Sequence, residues 1–291
     1  MRKVIVTGIN GLIGQYIAEP LKELGFEIYG IGTRDITTDK FSYINININD
    51  TTQLENLFKE IKPEYLVHLA WDTKNGYLES DSNFDLLSSS IVMLKYFKEN
   101  GGKRAIFIGS LAEYKFTNEP VKEDAELNLK TIYTKCKNYL REISELYCNK
   151  HDISFCWCRI FNTYGENEHP NRLFPYIINS LKNNKKVTIN YSQLKRDYMF
   201  SGDMAKAIAL ITNSSINGII NICTSKYMSL GDIAKIIAKK MNKENLLELK
   251  ELDINDFEYM VGDNSRLTNE IGFNDYSNMD CIIEKLIRSY Q

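Results

Sequence analysis

Tyr133 and Lys137 stand four residues apart in a stretch of helical periodicity, so the two side chains share one face. A phenol beside an ammonium has its pKa drawn toward the working range. So placed, it can exchange the hydroxyl proton that hydride transfer at a sugar carbon requires. Ser110 follows Gly109 at the end of an apolar run, from where its hydroxyl could share a substrate oxygen with Tyr133. The spacing is loose, since Tyr191 and Lys195 repeat it in a polar loop, and we read that second pair as coincidence. The plainer reading makes Tyr133 and Lys137 a solvated helix face and Ser110 a turn residue.

Upstream, Val4-Ile5-Val6 runs into Thr7-Gly8-Ile9-Asn10-Gly11-Leu12-Ile13-Gly14, and a helical pattern opens at once. Glycines in that order permit a tight turn and let backbone approach a pyrophosphate, while the helix N-terminus offers amides and a positive dipole. After the first strand of a βαβ unit the triplet predicts dinucleotide binding, with Gly8, Gly11, Leu12, Ile13 and Gly14 around the phosphates. The second strand ends Ile31-Gly32-Thr33-Arg34-Asp35. An acid at that tip would bind the ribose 2′-hydroxyl of NAD. Gly32 instead leaves room for a 2′-phosphate, with Thr33 and Arg34 to bind it, so NADP is favoured over NAD. Asp35 is the counter-candidate, and a solvated Arg-Asp turn the plainer alternative.

Positioning these groups requires a sheet whose carboxyl edge gathers several turns. Strand-like runs at 3–6, 27–32, 65–70, 105–109 and 153–160 alternate with helical ones at 12–24, 54–61, 86–98 and 132–148. That order predicts an α/β fold, a Rossmann-type doubly wound parallel sheet with helices on both faces. Beyond Phe161 the texture changes to Asn-rich loops, helices near 173–181, 204–211, 230–241 and 280–289, and strands near 187–190 and 219–223. We expect 1–165, with a returning segment near 187–224, to form the dinucleotide domain, and 166–186 with 225–291 a smaller, interleaved α+β substrate lobe.

Composition agrees. The 291 residues are 43% hydrophobic and 25% charged with 16 Gly and 5 Pro, which excludes disordered and collagen-like classes. With 36 Lys+Arg against 38 Asp+Glu no nucleic-acid partner is implied. No apolar run approaches the ~18 residues of a membrane span, and the N-terminus lacks the pattern of a signal peptide, so cytoplasmic residence is expected. The six cysteines are scattered. Cys156 and Cys158 share one strand face at a spacing that suits neither metal nor redox chemistry, so buried reduced thiols and no metal are expected.

Taken together, the residues resemble the extended short-chain dehydrogenase/reductases, the nucleotide-sugar epimerase/dehydratase/reductase group, over nearly the whole chain. The marks are Thr7-Gly8-x-x-Gly11-x-x-Gly14, Pro63-Glu64-x-x-Val67-His68-Leu69-Ala70, Ser110-x-x-x-Tyr114, Tyr133-x-x-x-Lys137, Arg159-Ile160-Phe161-Asn162-x-Tyr164-Gly165, Arg196-Asp197-Tyr198 and Asp203. The resemblance implies that Tyr133 is the proton donor, that Lys137 holds the nicotinamide ribose and depresses the tyrosine pKa, and that Ser110 binds the reacting oxygen. It further implies that Asn47 and Ile48 contact adenine, at a place where the family usually has Asp, and that Leu69 and Ala70 line the cofactor channel. Trp71 replaces the usual small residue beside the sugar. Asn162 and Arg196 resemble the groups that hold a nucleotide diphosphate, and Arg172 lies near the sugar or diphosphate.

Family dehydratases carry acids just after the catalytic Ser or Thr. Leu111 and Ala112 stand there, and the side chain of Glu113 should point elsewhere, so dehydration is not expected. The run Arg172-Leu173-Phe174-Pro175-Tyr176-Ile177-Ile178 resembles reductases that finish CDP- or dTDP-activated deoxysugars such as abequose, paratose or fucose. The expected function is NADPH-dependent reduction of the 4-keto group of a nucleoside-diphosphate 4-keto-6-deoxyhexose carrying CDP, dTDP or GDP. An NAD-dependent nucleotide-sugar C4 epimerase using the same residues is the first alternative, and a non-catalytic NADP-sensing regulator on the same fold is the second. The apolar faces of 86–98 and 132–148 resemble the pair through which the family dimerises, so a homodimer is expected.

Overall fold

The computed structural model describes residues 1–253 and 258–290. In chain order the first half runs β1 (Arg2–Thr7), α1 (Ala18–Glu23), β2 (Phe26–Gly32), β3 (Ser42–Asn45), α2 (Thr51–Ile61), β4 (Tyr65–His68), α3 (Ser82–Glu99), β5 (Arg104–Ser110), α4 (Ile132–Lys150) and β6 (Ser154–Ile160). The second runs β7 (Asn162–Tyr164), α5 (Leu173–Lys182), β8 (Val187–Ile189), β9 (Lys195–Arg196), β10 (Tyr198–Phe200), α6 (Ser201–Thr212), β11 (Gly218–Ile222), β12 (Met228–Ser229), α7 (Leu230–Lys240), β13 (Leu247–Leu249), β14 (Tyr259–Met260), α8 (Ser265–Asn269) and α9 (Met279–Ser289).

Seven strands form one parallel sheet in the order β11-β6-β5-β4-β1-β2-β3. Because both faces are covered, its strands read as unbroken apolar runs whose alternate residues enter different cores. Val4 and Val6, Ile106 and Ile108, and Cys156 and Cys158 face the layer of α1 and α6, while Ile5, Phe107, Phe155 and Trp157 face α2, α3 and α4. The Cys156 and Cys158 sulfurs lie 4.0 Å apart within that buried layer. Strand order reverses at β1, so the turns after β1 and β4 border the crevice where such sheets take ligands.

The helix expected over 12–24 is two pieces, a 3-10 turn at Gly14–Tyr16 and the short α1. Pro20 has no N–H to donate to a residue four back, so an unbroken α-helix fails there; as the third residue of α1 it takes a position whose N–H has no helical partner. The second lobe differs in where the return to the large sheet begins. β8 pairs with β13, and β9 with β12 and β14, so 187–196 belong with the smaller lobe; the returning elements are α6 and β11. Leu267 and Phe273 also pack into the core beside α6. Among the described residues no helix is long and apolar enough to cross a membrane.

Candidate active site

Strand β5 ends at Ser110 and the chain turns at once. Ser110 Oγ accepts from the Ala112 N–H (3.2 Å), and the Glu113 carboxylate reaches back to accept the Ser110 N–H (2.7 Å). Thr131 caps α4 by accepting from the Thr134 N–H (3.2 Å), so Tyr133 and Lys137 fall in the first two turns, both buried. The Tyr133 phenol lies beside Ser110, and its ring is met edge-on by Tyr77 (centroids 4.9 Å) and Trp71 (6.3 Å). Lys137 Nζ donates to the Ile108 carbonyl (2.8 Å) and lies 3.6 Å from the centre of the Trp71 indole, a cation–π contact. Tyr191 and Lys195, the other pair at this spacing, are not on a helix: Tyr191 bridges to Glu251 and Lys195 lies in β9.

Burial pushes the Tyr133 phenol above its ordinary value; Ser110 beside it and the charge of Arg172 pull the other way, while Tyr77 and Glu113 add to the rise. Lys137 is engaged by the Ile108 carbonyl and the Trp71 ring. Burial brings the ammonium itself down to about 7, against the pull of the Glu113 carboxylate. Nearby His68 is wholly buried. Its Nδ1 meets Thr7 Oγ1 (2.7 Å) and its Nε2 meets Ser90 Oγ (2.8 Å). Ser90 gives its own proton to the Leu86 carbonyl (2.5 Å), which assigns the ring proton to Nε2 and makes Nδ1 the acceptor.

The turn after β1 has no room for side chains at its first and last glycines. A methyl group at Gly8 (φ +69°) would come 2.8 Å from the Ala70 nitrogen, and one at Gly14 would come 2.3 Å from the Gly8 carbonyl oxygen. The loop therefore closes on itself and on Leu69–Ala70 only with glycine, and its bare backbone fits a dinucleotide pyrophosphate. The fit rests on loop amides rather than on the dipole of a long helix, since α1 is short and begins later.

At the tip of β2 the expected room beside Gly32 is filled. A methyl group there would come 2.8 Å from Asn10 Nδ2 and 3.0 Å from the Tyr43 hydroxyl, and Asn10 donates to Tyr43 (3.0 Å). Thr33 and Arg34 are exposed; Arg34 donates to the Asn10 carbonyl (3.2 Å), which holds its guanidinium against the glycine turn. Asp35 is turned to Asn45 (2.6 Å). Ile48 packs in the core, leaving backbone for an adenine, and Asn47 is exposed.

The substrate candidates do not all converge. Trp71 lies against Tyr133 and Lys137, its Nε1 donating to Asn83 (2.9 Å). Arg172 approaches from α5, 5.9 Å from the Tyr77 ring centre, and a cavity of about 410 Å³ lies between the 73–79 turn and His169, Asn171 and Arg172. Asn162 and Arg196 sit farther into the second lobe, donating to the carbonyls of Asp197 (3.2 Å) and of Lys195 and Glu258 (2.9 and 2.8 Å). A larger cavity of about 970 Å³ beside α1, α6 and Phe273 touches none of these residues.

Sequence reasoning missed Tyr77, Asn83 and Glu168. Asn83, almost fully buried, donates to the Tyr77 and Ser80 carbonyls (2.7 and 2.8 Å) and so pins the turn carrying Tyr77. Glu168 has a buried carboxyl oxygen without a hydrogen-bond partner, and burial pushes its pKa up to about 8 against the charge of Arg172. One of two acids in an Asn-rich loop, Glu166 and Glu168, carries no signal of burial.

Over residues 4–223 the chain matches the family described as NAD dependent epimerase/dehydratase family. It is 29% identical over 218 residues to CDP-abequose synthase of Salmonella typhimurium, covering 72% of this chain and 69% of that one. It is 27% identical over 252 residues to a putative UDP-glucose 4-epimerase of Methanocaldococcus jannaschii, covering 80% and 81%. Its fold superposes on Thermus thermophilus UDP-glucose 4-epimerase in complex with NAD with a TM-score of 0.86 at 20% identity, covering 99% and 98%.

Proposed function

The chain belongs to the NAD dependent epimerase/dehydratase family, and from that premise we propose that it is a cytoplasmic NADPH-dependent reductase. Its substrate is the 4-keto group of a nucleoside-diphosphate 4-keto-6-deoxyhexose, a CDP-, dTDP- or GDP-sugar. The observation that carries this reading is a buried Tyr133 phenol, its pKa raised, beside Ser110, with Leu111 and Ala112 where a dehydratase needs acids. A phenol that holds its proton suits a reductase, whose first need is a donor; an epimerase must first take a proton from a hydroxyl.

The nicotinamide, when bound, supplies hydride to C4. Tyr133 gives its proton to the C4 oxygen, and Ser110 donates a hydrogen bond to that oxygen as charge builds on it. Gly8, Gly11, Leu12, Ile13 and Gly14 hold the pyrophosphate, Thr33 and Arg34 the 2′-phosphate, Asn47 and Ile48 the adenine. Leu69 and Ala70 wall the channel and Lys137 holds the ribose hydroxyls. Trp71, Arg172, Asn162 and Arg196 attend the sugar and its diphosphate. Glu113 takes no part as an acid, because its carboxylate turns into the core onto Arg159.

The filled space at Gly32 favours a second reading, an NAD-dependent C4 epimerase, and the relative crystallised with NAD points the same way. Purified protein given NADPH and a 4-keto-6-deoxy sugar nucleotide decides between them. Consumption of NADPH with one product per turnover is expected; tightly held NAD with interconversion of UDP-hexoses and no NADPH oxidation overturns the reductase. Arg34→Ala should raise the KM for NADPH roughly tenfold or more and leave that for NADH unchanged. A homodimer through α3 and α4 completes the proposal.

A further inference from the structure

Beneath Ser110 lies an ion pair that the reaction as described does not use. Glu113 is wholly buried and Arg159 nearly so. The carboxylate accepts from Arg159 Nε (2.9 Å), from the Ser110 N–H (2.7 Å) and, on both oxygens, from Trp157 Nε1 (3.3 and 3.2 Å). Arg159 in turn donates to the Glu123 carbonyl (3.2 Å) and lies over the Tyr114 ring, 4.4 Å from its centre. Gly109 makes the space: a methyl group there would come 2.5 Å from Glu113 Oε1 and 2.2 Å from Trp157 Nε1. A buried pair is often no better for stability than packed apolar residues, so one built against the catalytic turn asks for a reason in the chemistry.

We propose that Glu113 is a positioning residue for the proton transfer: it grips the Ser110 peptide so that the hydroxyl faces Tyr133, and it supplies the buried negative charge that the Lys137 ammonium faces. The inference rests on the proposed function only in taking Ser110, Tyr133 and Lys137 as the reacting set. The charges around that set are few. Lys137 meets Glu113 from the turn after β5 and neutral His68 from β4; Tyr133 meets Ser110, Tyr77, Arg172 and Glu113; the pair itself meets Tyr114, with Glu123 beyond it. Glu113 and Lys137 lie against the same indole, the carboxylate taking the Trp157 Nε1–H and the ammonium standing 5.9 Å from the ring centre, and Glu113 is the acid among them that favours the charged form of Lys137.

Glu113→Gln tests this, because the amide oxygen still accepts from Ser110 while the charge is gone. Both tryptophans of the chain report on Lys137, whose Nζ lies 3.6 Å from the Trp71 ring centre and 5.9 Å from that of Trp157. Tryptophan emission of the protein alone, titrated from pH 5 to 9, should inflect near pH 7. In Glu113→Gln the inflection should move down by roughly one pH unit, and in Lys137→Met it should vanish. A purely structural Glu113 would lower the melting temperature and leave the inflection where it was, and that result overturns the proposal. If Glu113→Gln does not fold because Arg159 is left unpaired, the double variant Glu113→Gln/Arg159→Gln serves, with a smaller downward shift expected because the paired positive charge goes with the carboxylate. No sugar or dinucleotide enters this titration, so absence of 4-keto reduction overturns the proposed function and leaves the test of Glu113 intact.

Discussion

Burial is the main cause that raises the Tyr133 pKa, so the phenol keeps its proton. Tyr133→Phe should lower kcat for NADPH oxidation by about a hundredfold or more while dinucleotide affinity, read by fluorescence quenching, stays the same. Loss of binding together with rate would instead make the tyrosine a packing group. His68 carries a separate expectation. Its pKa in the fold, about 3, lies below its ordinary 6.5, so the unfolded chain binds the extra proton between those values. Its contribution is complete above pH 6.5 and is lost as pH falls toward 3; at pH 5 the loss is roughly 2 kcal/mol. Glu168 and Asp197, raised to about 8 and about 6, slope the other way. The quantity to measure is therefore the difference in urea-unfolding free energy between the parent and His68→Gln at pH 7 and pH 5, which should narrow as the pH falls. At this scale Ser110, Tyr133 and Lys137 were legible because residue type and spacing carry the chemistry. The depressed Lys137 and the filled space at Gly32 were not, since both depend on side chains distant in sequence: Trp71, Asn10 and Tyr43.

Between residue and fold, the elements that position the site were read to within a few residues where period and boundary agree. β5 ends on Ser110 and α4 starts at a capping threonine, so strand tip and helix start converge. The 12–24 stretch failed because apolar periodicity outweighed Pro20, and 187–196 was misplaced because strands of two or three residues show no period. The 71–80 turn, which covers Tyr133 with Trp71 and Tyr77, has no regular pattern; its conformation hangs on Asn83, which bonds the Trp71 indole and two carbonyls of the turn. Asn83→Ala leaves the Trp71 Nε1–H without its partner and takes one of two hydrogen bonds from each of the Tyr77 and Ser80 carbonyls, which keep the Ser80 and Asn83 N–H groups, at a cost on the order of 1–3 kcal/mol for the indole if it stays buried. We expect it to raise the KM for the sugar nucleotide on the order of tenfold, with a smaller change in kcat, and to shift Trp71 emission to longer wavelength. An unchanged spectrum would mean the turn is held by other contacts.

At the scale of the molecule, the outer sides of α3 and α4 are anomalous. Phe84 and Ile91 lie one heptad apart on α3, and Tyr139, Ile143 and Leu146 follow a four-then-three spacing on α4; all five are exposed, Leu146 at 68%. Scattered exposed apolar side chains are ordinary on a protein surface, but two adjoining helices that each present a stripe form a contiguous patch, and such patches mark interfaces. A twofold axis along this face would pack two α3–α4 pairs as a four-helix bundle, with the same residues contributed by each copy. That face and the candidate site share one helix, because α4 carries Tyr133 and Lys137 at its start and the stripe on its following turns. Leu146→Glu combined with Ile143→Lys should convert a dimer in sedimentation velocity into a monomer. The monomer should also unfold at lower temperature and with no dependence of its midpoint on protein concentration, whereas the parent's midpoint should rise with concentration. If parent and variant sediment alike as monomers, the stripes are covered by something other than a second copy.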